Sequence, residues 1–199
     1  MMILSLLPKL RIACAILVLA VPAPALAQMT GTTPAPDAGR STGDASSAHA
    51  VQLSARPAAV LAGTAEWEAG FSSITKSFSD LRAAMNRAGL KPGGKPLTVF
   101  IETDDQGFKF QAMIPLDAAA PPNMTLAAPV TIGETPAGAT MRFEHRSAYD
   151  DIDSTYEAIT AYLDEKSIEA KPIFIEEYIT EPKSADDNGL QVDIFVFIK

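Results

Sequence analysis

The sequence predicts an α+β fold in which two strand-helix-strand-strand units, related by a pseudo-twofold, form an antiparallel sheet with both helices on one side and a central cleft. Three observations carry this. Ile74, Phe78, Leu81 and Met85 fall at spacings of four, three and four, and Ile152, Tyr156, Ile159 and Leu163 repeat that stripe 78 positions later, so each segment buries one face of a helix. At the same offset Trp67 matches His145 and Phe71 matches Tyr149, each just before its helix. After each helix a proline opens a strand-like run, Pro96 before Leu97 to Glu102 and Pro172 before Ile173 to Tyr178, and a further strand closes each half.

At the N-terminus Lys9 and Arg11 precede the apolar run Ile12 to Val21, and Ala25-Leu26-Ala27 supplies small residues at a cleavage point. Residues 1–27 therefore read as a cleaved signal peptide, and the protein is expected in the periplasm or outside the cell. The apolar run is about half of the roughly 20 residues a spanning helix needs, so no stable membrane insertion is expected after cleavage. Cleavage removes Cys14, the one cysteine, which excludes internal disulfides, thiol chemistry and thiolate metal sites from the mature chain. It also takes Lys9 and Arg11 from the 16 basic residues, leaving 14 against 24 acidic ones. Such an acidic surface does not suit nucleic acid, whose affinity rests on Lys and Arg.

Residues 28–57 are rich in Thr, Pro, Ala, Gly, Ser and Asp and read as a flexible linker containing His49. The folded part is expected from about residue 58, with halves at about 58–117 and 136–199. In the first half Ser72 or Ser73 is placed to cap the helix and Gly89 to end it; Phe108 to Pro115 is the closing strand. Residues 118–135 form a Pro-rich bridge with room for a short strand. In the second half Asp150 and Asp151 precede the helix, and Asp150, Asp151 and Asp153 together suit a helix N-terminus better than a metal. Gln191 to Ile198 is the last strand, entered through the turn signal Asp186-Asp187-Asn188-Gly189.

Strand alternation separates two faces between residues 173 and 179. The face with Ile173, Ile175 and Ile179 is expected to pack on the helices. That leaves Phe174, Glu176 and Tyr178 opposite, with Gln191, Asp193, Phe195 and Phe197 of the last strand. His145 stands at the end of the apolar face of Ala139, Met141 and Phe143. With no other histidine outside the linker, a histidine metal cluster is excluded. Phosphate-loop, nucleophile-elbow and zinc signatures are absent, and no cofactor is expected.

The stretch from Gly138 through His145-Arg-Ser-Ala-Tyr149, the helix to Leu163, and Pro172-Ile-Phe-Ile-Glu176-Glu-Tyr178-Ile-Thr-Glu-Pro182 resembles the GyrI-like effector-binding domain, over about residues 58–199. The resemblance implies a duplicated fold whose cleft holds a strand glutamate among aromatics that contact lipophilic cations or other small effectors. That glutamate falls on Glu176 and its aromatic partners on Tyr178 and Tyr149. Ser147 departs from the family's usual glycine at the turn by the cleft mouth. A signal peptide is expected where a helix-turn-helix would stand, so a transcriptional or gyrase-inhibiting role is not expected to carry over. The candidate ligand-binding set is Glu176, Tyr178, Tyr149, His145, Trp67, Phe71 and Phe100. The expected function is non-enzymatic binding of an apolar or cationic organic molecule. Two alternatives stand beside it: a hydrolase of small electrophilic compounds using the cleft glutamate, and haem binding of the SOUL type, with His145 as the ligand. No protein partner is assigned.

Overall fold

A computed structural model describes residues 48–199. The signal segment 1–27 and most of the expected linker lie outside the described residues. Among the described residues are eight strands: β1 (His49–Leu53), β2 (Pro57–Glu66), β3 (Leu97–Thr103), β4 (Gly107–Pro115), β5 (Thr131–Glu134), β6 (Gly138–His145), β7 (Ala170–Tyr178) and β8 (Val192–Ile198). Helix α1 (Gly70–Arg87) follows β2 and α2 (Ile152–Glu165) follows β6. The strands form one antiparallel sheet in the order β1-β6-β8-β7-β3-β4-β2-β5.

The duplication is visible in this order. From the centre outward, β3, β4 and β2 mirror β7, β8 and β6, with one further strand added at each edge. Val99 of β3 pairs with Ile175 of β7, and these residues stand 76 apart, as do Pro96 and Pro172. A residue that pairs with its own counterpart lies on the axis, so the pseudo-twofold passes between Val99 and Ile175. The helix ends match as well. Leu90 N–H donates to the Met85 carbonyl at 2.9 Å after Gly89, which has φ 71°, and Ile168 N–H donates to the Leu163 carbonyl at 2.9 Å after Ser167, which has φ 53°. Both are Schellman closures, 78 residues apart.

The structure corrects three expectations. First, residues 49–57 are not linker: β1 pairs with β6 from His49↔Arg142 to Leu53↔Gly138, and β2 already begins at Pro57. The alternation of Val51 and Leu53 with Gln52 drives this, since both apolar side chains pack on a buried cluster. Second, Ser72 and Ser73 do not cap α1, because 3₁₀ turns at Trp67–Ala69 and Tyr149–Asp151 start both helices earlier. The Ser72 hydroxyl donates back to the Ala69 carbonyl at 2.9 Å, and neither Ala69 nor Asp151 makes a side-chain cap bond.

Third, the faces of β7 are reversed. Phe174, Glu176 and Tyr178 lie on the helix side with Val192, Ile194 and Val196 of β8. Ile175, Phe195 and Phe197 lie on the other side, in a second buried cluster with Ala58, Val60, Leu97, Val99 and Met113. Neither α1 nor α2 contributes to that cluster. Residues 54–56 join β1 to β2, which is six strands away; six spacings of about 4.8 Å make roughly 29 Å in a flat sheet, whereas four residue steps reach at most about 14 Å. The sheet must therefore curl away from the helices and enclose its own far face. Arg56, in the joining segment, reaches Glu177 of β7 at 3.4 Å.

Candidate functional site

The curl on one side leaves the helix side as the place for a cleft, and both helices begin above the central strands. Glu176 sits two strand positions before Tyr178 and after Phe174, so all three share the helix face. The Glu176 residue is 1% exposed. Three phenols donate to it: Tyr178 at 2.7 Å and Tyr149 at 3.2 Å to Oε2, and Tyr156 at 2.8 Å to Oε1. Tyr149 comes from the 3₁₀ turn and Tyr156 from the first full turn of α2, so two different elements close on one strand carboxylate.

Beside Glu176 lies a cavity of about 50 Å³, walled by Trp67, Gly70, Phe100 and Phe108 from the first half and by Tyr149, Ile152, Tyr156 and Phe174 from the second. None of these residues is basic. Phe100 and Phe174 stack at 4.5 Å across the β3–β7 seam, Tyr156 stands edge-on to Phe174 at 5.3 Å, and Phe108 packs against both Phe100 and Trp67 at 5.0 Å. The Trp67 ring N–H donates to the Asp104 carbonyl at 2.9 Å, fixing the first 3₁₀ turn to the β3–β4 hairpin. Gly70 lets the helix start close to this wall, since a Cβ would lie 3.1 Å from the Phe108 ring.

Burial raises the Glu176 carboxyl to about 7, against the opposing pull of the three phenol hydrogen bonds. Burial, and then the neighbouring Glu176, push Tyr149, Tyr156 and Tyr178 well above the ordinary tyrosine value, so the phenols keep their protons. Thr98 stands directly across the ladder from Glu176, fully buried, with its hydroxyl unpartnered among the described residues.

Of the candidate residues, Glu176, Tyr149, Trp67 and Phe100 line the cavity, and Tyr178 holds the carboxylate from behind. Phe71 does not line it; its ring packs on Tyr149 at 5.1 Å, an edge made by equivalent positions of the two halves. His145 is not part of the site. It is 2% exposed; Nε2–H donates to the Ala148 carbonyl at 3.0 Å, which leaves Nδ1 to accept from the Thr155 hydroxyl at 2.8 Å. With both ring nitrogens engaged and burial lowering its pKa, His145 offers no nitrogen to a haem iron, and the haem reading loses the ligand it named. Among the described residues no group of three His, Cys, Asp or Glu is placed to hold a metal.

Tyr156, Phe174, Phe108, Ile152 and Gly70 are wall residues absent from the sequence-based set. Tyr156 was visible there only as a helix-stripe residue, and Phe174 as a neighbour of Glu176. The tyrosine hydroxyl at a stripe position was the one available signal, because a buried phenol needs a partner.

The sequence profile of the GyrI-like small molecule binding domain matches residues 49–199. The chain belongs to this family. The fold is similar to that of EcmrR, with a TM-score of 0.63 and 14% identity in a DNA complex, and 0.62 and 12% for its C-terminal domain. Each alignment covers 76% of this chain, but they span 57% of the EcmrR chain in the complex and 96% of the isolated domain. SAV2435 bound to tetraphenylphosphonium aligns with a TM-score of 0.52 and 14% identity, covering 76% of this chain and 93% of that one. A hydrolase from Listeria innocua aligns at 0.52 and 9% identity, covering 76% and 91%. These identities show a shared fold. No curated protein matches the sequence.

Proposed function

We propose that this GyrI-like domain binds a lipophilic organic cation at Glu176, in the periplasm or outside the cell. One observation supports the ligand class most: a fully buried carboxylate faces an aromatic cavity whose walls carry no basic group. A buried charge without a partner is costly, and a cation offers the missing partner while the rings offer their negative faces. SAV2435, with the same fold, binds such a cation. At about 50 Å³ the cavity is far below the several hundred Å³ of typical ligand pockets, so the half-buried rings of Trp67, Tyr149 and Tyr156 part to admit one.

Calorimetric titration with tetraphenylphosphonium tests this. Glu176→Gln is expected to weaken binding by about 1–3 kcal/mol, while Glu177→Gln, on the far face and paired with Arg56, binds as the wild type does. Equal affinity in all three proteins overturns the assignment. The location is supported by the charged start, short apolar run and Ala25-Leu26-Ala27; an intact mass beginning at Gln28 in a periplasmic fraction is the expected result, and an uncleaved chain rejects it.

A second reading, hydrolysis of a small electrophile, draws on Glu176 titrating near 7, where a carboxyl both gives and takes protons. Turnover lost in Glu176→Gln but retained in Glu177→Gln supports it, and no turnover across a panel of epoxides and esters rejects it.

A further inference from the structure

Resting on the cation reading, we infer that binding at this site is an exchange below neutral pH: there the empty domain holds Glu176 as a neutral carboxylic acid, and the arriving cation displaces its proton to solvent. The groups that face Glu176 can be named element by element. On its own strand these are Phe174 and Tyr178; from β3, Thr98 and Phe100; from β8, Ile194. The second 3₁₀ turn contributes Tyr149, and α2 contributes Ile152 and Tyr156. Helix α1 enters through Phe78, edge-on to Tyr178 at 5.2 Å. Asp153, on α2, adds a further negative charge felt by Tyr149 and Tyr156.

No positive group appears among these neighbours. Three phenols solvate the carboxylate, yet none neutralises it, and at 1% exposure water does not either. Protonation is the cheapest way for an isolated buried carboxyl to exist. The phenols hold their protons more tightly than usual, so Glu176 is the group of the four that titrates. When a cation settles against the rings the balance reverses: the carboxyl O–H bond breaks, the proton passes to solvent buffer, and the carboxylate pairs with the ligand. The site then selects for permanent charge, because a neutral molecule of similar shape gains nothing from the ionised form.

The test is calorimetry with tetraphenylphosphonium in buffers of different ionisation enthalpy, at pH values about one unit below and above the Glu176 midpoint of about 7. On the acid side the heat is expected to report release of nearly one proton per cation bound, with apparent affinity falling about tenfold for each further pH unit; on the alkaline side release approaches zero. Uncharged triphenylphosphine oxide serves as the second probe and is expected to bind without proton release, its affinity flat or rising toward acid pH. In Glu176→Gln the proton release disappears and the residual affinity for the cation loses its pH dependence. Cation binding in the wild type with no proton release on the acid side overturns the exchange and leaves the cation reading standing. Release that persists in Glu176→Gln assigns the proton to another group and overturns it too. A wild type that binds no cation at either pH rejects both.

Discussion

Glu176 makes the molecule's stability answer to pH. Its folded pKa of about 7 stands above the ordinary 4.5, so the folded state binds this proton more tightly than the unfolded chain. The resulting stability is fully present below about 4.5 and is lost as pH rises through about 7. A shift of that size corresponds to about 3 kcal/mol. Thermal unfolding of wild type and Glu176→Gln across this range is expected to show the variant gaining on the wild type as pH rises; curves that stay parallel reject the burial argument. Cation binding is expected to restore what the wild type loses. The sequence offered Glu176 and Tyr178 as neighbours on one face, but the Tyr156 contact was not legible, because a phenol on an apolar stripe looks like core until the strand beneath it is known. His145 misled for the opposite reason. Its position matches Trp67 in the repeat, yet Ala148 and Thr155 beside it in the chain satisfy both of its nitrogens.

The two helices preserve the duplication most clearly at their C-terminal ends. Gly89 and Ser167 occupy the same left-handed position, at φ 71° and 53°, but only glycine does so without a Cβ penalty. Ser167 is exposed. Ser167→Gly is therefore expected to stabilise the domain by about 0.5–1 kcal/mol, and Gly89→Ser to destabilise it by a similar amount. Chemical denaturation checks both; a loss on Ser167→Gly breaks the equivalence. The helical stripes were readable because a 3.6-residue period is local. The starts were not, because the extra 3₁₀ turns are fixed by distant partners, Asp104 for Trp67 and Glu176 for Tyr149.

At the scale of the whole molecule, the central feature is a sheet that buries both faces, one under helices and the other by its own curl. This explains why alternation in β7 separated two faces correctly but did not say which one the helices cover: Ile175 and Phe174 are both buried, for different reasons. It also explains β1. The short apolar pair Val51 and Leu53 is too weak a signal to define a strand alone, and gains meaning only because the curl brings β6 and the far-side cluster to it. Edge strands are often dispensable, but this one also closes the concave face and hands the chain to β2 through residues 54–56, where Arg56 N–H donates to the Thr135 hydroxyl at 3.0 Å. Deleting residues 48–53 removes five paired positions on β6, uncovers Phe195 and Phe197, and leaves β6 as an open edge. The expected cost is at least about 2 kcal/mol, a fall in Tm of roughly 5 °C or more for a domain of this size. Concentration-dependent association through the bared β6 edge should accompany it, visible by sedimentation. An unchanged Tm and a monomer at all concentrations reject the closure, and with it the argument that β1 is needed to seal the second core.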